Sequence, residues 1–359
     1  MDEPARPTTD ERVAIVLNPS KPGAAEARGL VEAAVRARGF EPVVHLTTVA
    51  EPGATQAREA LQGDCTAIVV VGGDGTVREV VHALVDSPRR VPLGIVPLGT
   101  ANLFARNLSL AIPHRAMSRG GRRRQVEHAI QVALDGATTA VDVGVARFGE
   151  PTERHLFLVV AGIGWDAETV LATRPELKQR IGWGAYFASG LRRLGRRGVP
   201  MTLQIGGRPP VSVRAWSVLA GNCGRIPLGA TVFPDARYDD GVLDVLTVQP
   251  MLPHRWVGVA ATGLSHRAVP EPLSGLHYER AARLEVVPDR PMPVQLDGDA
   301  FAAVPRLDLS VLTRALTVRV GRPRVGRPRP GRSRPGRTAR EAARVSTRRN
   351  RRPEATDRR

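Results

Sequence analysis

Cysteine is nearly absent from this 359-residue chain, and no apolar run reaches 18 residues. Cys65 and Cys223 lie in no metal-ligand spacing. They read as small core residues of a reducing compartment, with no disulfide between them. A membrane-spanning helix needs about 20 apolar residues; the best stretch here, Leu156 to Trp165, is short and carries glycines. The polar N-terminus, Met1 to Arg12, lacks the apolar segment of a secretory signal. A cytoplasmic or peripheral protein is therefore expected. None of the eight histidines falls in a metal spacing, no internal repeat is visible, and the P-loop pattern GxxxxGK[ST] occurs nowhere.

Acidic residues are also outnumbered, 35 against 52 Lys and Arg, for a net charge of +17. The excess is uneven. From Gly321 to Arg359 fifteen arginines face only Glu341, Glu354 and Asp357, which places +12 in the tail and leaves +5 for residues 1–320. Such a Pro-Arg-Gly segment cannot bury a core, and disorder is expected over 321–359, as over the polar leader 1–11.

What is present is organised around Ala67 to Val81, AIVVVGGDGTVREVV. Five apolar residues, four of them β-branched, read as a strand buried on both faces. The glycines then stop the strand, and Val77 to Leu84 has helical spacing. A strand that ends in glycines before a helix can set bare backbone N–H groups against phosphate, with the helix dipole assisting. The spacing does not fit the dinucleotide pattern GxGxxG. A tight turn with no ligand is the plain alternative, but Asp74 among the glycines cannot be a packing residue. It reads as a polar group aimed at a nucleotide or its metal.

Around this stretch the first third alternates strand and helix. Strands are expected at Arg12 to Leu17, Pro42 to Leu46 and Val91 to Val96, and helices at Ala24 to Arg38 and Ala54 to Leu61. That alternation argues a parallel α/β layer structure, whose ligands sit at the carboxyl ends of the strands. Asn18, Thr47, Thr48, Gly72 to Thr76 and Thr100 to Asn102 all fall at those ends. From about Val141 the runs become short and turn-separated: Ala140 to Ala146, His155 to Val160, Thr202 to Ile205, Val211 to Ala220, Leu243 to Val248, Arg283 to Val287 and Leu316 to Val320. They favour a mainly antiparallel β domain. Between them Pro175 to Arg196 and Val257 to Leu264 have helical spacing, and Arg115 to Arg124 reads as a basic loop.

The ordered motifs resemble the diacylglycerol kinase catalytic-domain family, which includes bacterial soluble lipid kinases and is related to the sphingosine kinases. They are Asn18-Pro19, GGDGT at Gly72 to Thr76 with Glu79 following, PLGTANLFARNL at Pro97 to Leu108, and Val141-Asp142-Val143-Gly144. AGIGWDA at Ala161 to Ala167, Gly221-Asn222, Pro234-Asp235-Ala236, YDDGVLDV at Tyr238 to Val245 and VQLDGD at Val294 to Asp299 complete the set. GGDGT alone is shared with NAD kinases and phosphofructokinases; the ordered set is far more specific.

The resemblance implies an N-terminal α/β nucleotide-binding domain with a parallel sheet over 12–138. It implies a C-terminal antiparallel β-sandwich-like domain over 139–320, whose last strand could return to the first, and an active site in the cleft between them. It places Gly72, Gly73, Asp74, Gly75, Thr76, Gly99, Thr100 and Asn102 with ATP, and Asn18 and one of Thr47 or Thr48 nearby. Glu79 either orients the phosphate loop or is a solvated first-turn residue. The family's late motif is DGE, with carboxylates as general base on the lipid hydroxyl. Here it is Asp297-Gly298-Asp299, one methylene shorter at its last position, where an Asp-Gly hairpin turn is the plain alternative. A structural Mg²⁺ would fall to Asp240, with main-chain oxygens of Arg237 and Val242. Trp165 stands where many members have Phe.

The function expected is ATP- and Mg²⁺-dependent phosphorylation of a hydroxyl of diacylglycerol or a related membrane lipid, with Asp74, Asp297 and Asp299 as the catalytic carboxylates. The partners expected are the lipid substrate at the inner face of the membrane and anionic headgroups met by basic regions, with a homodimer allowed and no specific nucleic acid. Arg174 to Arg197, with Trp183, Tyr186 and Phe187, suits an interfacial helix as well as an ordinary surface helix. An NAD-kinase-like phosphotransferase and a non-catalytic basic membrane- or nucleic-acid-binding protein are the rival readings.

Overall fold

The computed structural model describes residues 11–112, 117–149, 151–171, 196–225, 231–251 and 275–321. The segments expected to be helical at 175–196 and 257–264, the leader and the arginine tail lie outside the described residues, apart from single residues at their ends. Among the described residues no helix is long and apolar enough to cross a membrane.

The first third is a layered α/β unit. Four strands, β1 (Arg12–Leu17), β2 (Glu41–Leu46), β3 (Cys65–Gly72) and β4 (Leu93–Pro97), alternate with helices α1 (Ala24–Arg36), α2 (Ala54–Gln62) and α3 (Asp74–Asp86). The strands are parallel in the order β2-β1-β3-β4. The reason is visible in β3. Ile68 and Val70 face the cluster that holds Val80, Val81 and Leu84 of α3, while Val69 and Val71 face Val31 and Val35 of α1. From Ala67 to Val71, where helices cover both faces, the strand carries no polar side chain.

Two helices follow β4: the short α4 (Leu103–Asn107) and α5 (Arg119–Asp135). The second corrects the reading of Arg115 to Arg124 as a loop. Ser118 caps it, its Oγ accepting from the N–H of Gly121 at 3.2 Å, and Val126, Ala129, Ile130 and Ala133 bury its inner face. Its arginines occupy exposed positions of the first turns, where with Gly120 and Gly121 they obscured the apolar spacing that starts only at Val126.

The remainder is β-rich. Strands β5 (Ala137–Phe148), β6 (Glu153–Phe157), β7 (Val160–Gly164), β8 (Val199–Ile205), β9 (Val211–Ala215) and β10 (Ser217–Gly221) are followed by β11 (Leu243–Val248), β12 (Leu276–Ala281) and β13 (Arg283–Pro288). The last are β14 (Met292–Leu296), β15 (Asp299–Val304) and β16 (Leu307–Val320), and a short helix α6 (Trp165–Leu171) follows β7. Six of them form an antiparallel sheet, β12-β11-β10-β7-β14-β15. The others extend the first sheet through β16, which runs parallel to β4 at Val318, pairs antiparallel with β5, and passes on to β13, β8 and β9. Two expected runs are each two strands. His155 to Val160 breaks at Leu158-Val159, and Val211 to Ala220 breaks at Trp216, where the chain leaves one sheet for the other.

Candidate active site

The turn after β3 is shaped by close backbone approach. Leu98 N–H donates to the carbonyl of Gly72 at 2.8 Å, so the loops after β3 and β4 run side by side. A Cβ on Gly99 would stand 2.8 Å from the Cα of Gly73 and 2.6 Å from Oδ1 of Asn102; no side chain fits there. Gly73 precedes α3 in extended conformation, and no side chain caps the helix. Gly75 differs: a Cβ there would meet nothing within 4 Å. The first turn of α3 therefore presents uncapped N–H groups and the positive end of the helix dipole to open space. Lys21 stands over the same place, its Cε 3.6 Å from where a Cβ of Gly73 would lie.

The surrounding polar residues are held rigidly. Nδ2 of Asn18 donates to Oγ1 of the buried Thr76 at 3.2 Å, while its Oδ1 accepts from Ser20. Thr47 is buried at the end of β2. Thr48 is exposed, and its hydroxyl accepts from the N–H of Glu51 at 3.0 Å. Their loop reaches α3 through Gly53, whose Cβ would meet the carbonyl of Thr76 at 3.2 Å and Cβ of Glu79 at 3.4 Å. Thr100 is exposed. Asn102, buried and left-handed at φ 47°, starts α4; its Nδ2 donates to the carbonyl of Gly99 at 2.7 Å and its Oδ1 is buried without a protein partner.

Asp74 faces the start of α4, with Oδ1 accepting from the N–H of Phe104 at 3.4 Å. Burial pushes its carboxyl up to about 6, and the negative charge of Asp297 pushes the same way against the N–H groups of residues 102–104. Arg78 of α3 bonds to Leu296 and Asp299, so the hairpin that carries Asp297 stands against the nucleotide-side helix. Asp297 and Gly298 form the turn between β14 and β15, both left-handed at φ 51° and 88°, as a two-residue hairpin requires. The turn reading is therefore right, and the turn also holds a part-buried carboxylate. Oδ1 of Asp297 accepts from the N–H groups of Val159 (2.8 Å) and Val160 (2.9 Å), and Oδ2 from that of Leu158 (2.8 Å). Burial raises its pKa, against Arg78 and those three donors. Asp299 is half exposed and accepts from Nη2 of Arg78 at 2.8 Å.

The 158–160 turn is itself fixed from behind. Nδ2 of Asn222, wholly buried, donates to the carbonyls of Leu158 and Asp142, each at 3.0 Å. The Asp142 carboxylate accepts from the N–H of Arg314 at 2.6 Å, at the bulge of β16, and from that of Gly241 at 2.7 Å. Through these two residues the Asp240 turn is joined to the cleft, but Asp240, Arg237 and Val242 are not brought into it. Asp240 is paired with Arg280, and the exposed Arg237 side chain with Asp239. Val242 N–H points to Oδ1 of Asp240 at 3.4 Å. Asp244 beside them is buried with an unpartnered Oδ2, and burial pushes it up to about 6, helped by Asp240 and Asp235 and opposed by Arg280. Among the described residues no three His, Cys, Asp or Glu side chains gather as a metal cluster. The anionic surplus around Arg280 and the orphaned oxygen nevertheless fit a hard cation held by Asp240 with main-chain oxygens.

Sequence reasoning missed Lys21, Arg78 and the positioning residues Asp142 and Asn222. The last two stand in quoted motifs, so the signal was present without a role. Arg78 gave none, because its partners lie 218 and 221 residues away.

Comparison with known proteins covers nearly the whole of the described chain. The family model for the diacylglycerol kinase catalytic domain matches residues 12–146. The model for the YegS C-terminal NAD kinase beta sandwich-like domain matches 159–320. Among curated relatives, a protein named diacylglycerol kinase from Staphylococcus carnosus is 27% identical over 310 residues, covering 82% of this chain and 90% of its own. One named "Probable lipid kinase YegS-like" from Yersinia enterocolitica is 27% identical over 299 residues, covering 77% and 94%. A solved structure of a diacylglycerol kinase from Bacillus anthracis shares the fold, with TM-score 0.67 at 21% identity over 88% of this chain and 98% of that one.

Proposed function

This chain belongs to the diacylglycerol kinase catalytic-domain family and is a lipid kinase; from that premise we propose that it transfers the γ-phosphoryl group of ATP to a hydroxyl of diacylglycerol or a related membrane lipid. The observation that carries the proposal is that Arg78, four residues after Asp74 on the uncapped helix α3, bonds to both strands of the hairpin whose turn carries Asp297. One side of that cleft suits phosphates and the other suits a hydroxyl that must lose its proton.

Phosphoryl transfer asks a protein for positioning and charge neutralisation rather than covalent help. In this reading the N–H groups of Gly75 and Thr76, the Lys21 ammonium and the loop at Gly99 to Asn102 hold the triphosphate. Asn18 and Thr76 brace the turn, the Thr47-Thr48 loop closes its flank, and Glu79 orients it from the next turn of the helix. The acceptor oxygen attacks the γ-phosphorus while the bond to the β-phosphate oxygen breaks. Its proton passes to the carboxylates of the 297–299 turn, within whose reach the hydroxyl must sit. Mg²⁺ bound with the nucleotide supplies charge neutralisation at the phosphates. A structural Mg²⁺ would be held by Asp240 and the main-chain oxygens of Arg237 and Val242, where it would offset the carboxylate surplus.

The basic first turns of α5 give the reading its surface. Ala133, near the end of α5, packs on Gly94 at the start of β4. Arg119, Arg122 and Arg124 therefore lie towards the carboxyl ends of the strands and are exposed, while Arg123 is paired with Glu127. Each of the first three would add about 1 kcal/mol of attraction to an anionic leaflet. The test of the function is transfer of radiolabel from γ-labelled ATP to a mixed-lipid extract in detergent micelles, with NAD offered separately. A labelled lipid identified by chromatography supports the reading; labelled NADP without labelled lipid overturns it.

A further inference from the structure

We propose that Arg78 is a positioning residue that latches the acceptor hairpin to the nucleotide-binding helix through Asp299, leaving Asp297 as the carboxylate that serves the acceptor hydroxyl. The inference rests on the lipid-kinase reading and divides between two carboxylates a role that the motif assigns to both.

Arg78 lies one turn into α3, four residues after Asp74, with 14% of its side chain exposed. Its Nη1 donates to the carbonyl of Leu296 at 3.3 Å and its Nη2 to Oδ2 of Asp299 at 2.8 Å. These anchors flank the Asp297-Gly298 turn, one on each strand of the hairpin. A planar guanidinium spans two such points at fixed separation, which an ammonium cannot do. The turn is held on its other side by the three N–H groups of residues 158–160 and by its own N–H, which donates to the carbonyl of Val160 at 2.8 Å. With Arg78 in place the Asp297 carboxylate is fixed from both sides of the seam between the two sheets. The short Asp299 fits this arrangement. A glutamate would carry its carboxylate one methylene further, whereas Asp299 keeps its own close to the strand and is met there by the longer arginine.

The charges around the latch are known. Asp299 and Asp297 from the hairpin, Glu79 and His82 from α3 and His155 from β6 face Arg78. Asp297 faces Arg78, Asp74 and Cys223. Neutralising Arg78 leaves Asp74 and Asp297 to repel one another without the cation.

The test compares the full-length wild type with Arg78→Gln, Arg78→Lys, Asp299→Asn and the Arg78→Gln, Asp299→Asn double variant. Lipid phosphorylation in micelles, KM for ATP and hydrogen exchange at residues 158–160 and 296–299 are measured for each. The expected result is a loss in kcat of about tenfold or more in Arg78→Gln and in Asp299→Asn, with no further loss in the double variant, as one coupled unit requires. KM for ATP should stay within about twofold of the wild type, and Arg78→Lys should recover part of kcat. Exchange at 296–299 should quicken whatever the catalytic outcome. Wild-type kcat and unchanged exchange in Arg78→Gln would overturn the proposal, as would multiplicative losses in the double variant or a change confined to KM for ATP. A wild type that labels no lipid, with exchange still quickened in the variants, would instead sink the lipid-kinase reading and leave the latch standing.

Discussion

Gly75→Ala separates packing from ligand binding at the glycine turn. Gly72, Gly73 and Gly99 are each accounted for by protein neighbours, but a Cβ at Gly75 meets nothing within 4 Å and its φ lies outside the left-handed range. Inside the free protein, then, the glycine has no steric purpose. It lies in the first turn of α3, where alanine restricts the unfolded chain and favours the helix, so the variant should gain about 0.5–1 kcal/mol. For a chain of this size that raises Tm by roughly 1–4 °C. If phosphate oxygens approach the N–H groups of this turn, the added methyl displaces them. Losing one charge-assisted hydrogen bond costs about 1.5–3 kcal/mol, which is about a 10- to 100-fold weaker hold on ATP. The assay is calorimetric melting without nucleotide beside titration with ATP. A variant as stable as the wild type that binds ATP equally well would refute the placement of phosphate at this turn.

Other perturbations bear on the remaining parts. Gly99→Ala should lose both properties, since its methyl collides with Gly73 and Asn102; overpacking of this kind costs about 1–3 kcal/mol, read as a lower denaturant midpoint. The carboxyl of Asp74, pushed up to about 6, should give kcat an acid limb near pH 6 that falls about tenfold per pH unit below it and disappears with most of the activity in Asp74→Asn. Burial likewise pushes Asp166 up to about 6, against the hydroxyl of Ser217, which donates to it at 2.7 Å. A raised carboxyl favours the folded state at low pH and loses that contribution as the pH rises through about 6. Between pH 4 and pH 8 the wild type should therefore lose roughly 2 kcal/mol more stability than Asp166→Asn, and parallel urea-derived curves would contradict this. Mg²⁺ should raise the Tm of the wild type and leave that of Asp240→Asn unmoved.

The parallel half of the fold was legible because β1, β3 and β4 are buried on both faces and its helices on one, so periodicity and continuity separated them. The glycine turn was legible because its residue types have few other uses. The β half was harder to divide. Trp216 and the Leu158-Val159 pair are apolar, yet the chain changes sheet or direction at them, since Trp216 N–H donates to the carbonyl of Val248 outside either flanking strand. The helix α5 hid behind its own arginines. At the site, sequence marked the carboxylates but not what holds them. The three N–H donors to Asp297 belong to apolar residues, and Arg78 is one charged residue on a helix full of ordinary ones. Roles set by backbone donors and by partners more than 130 residues away have no local signature.

In the proposed reaction ATP held at residues 72–76 and 99–102 gives its γ-phosphoryl group to a lipid hydroxyl activated at the 297–299 turn. The most direct measurement is the initial rate of phosphatidic acid formation from ATP, Mg²⁺ and pure diacylglycerol in micelles, for the wild type and for Asp297→Asn, with ATP affinity measured on both. Product is expected from the wild type, with a rate at least about 100-fold lower in the variant and equal affinity for ATP. A variant as active as the wild type, or a wild type that binds ATP and phosphorylates no lipid hydroxyl, would contradict it.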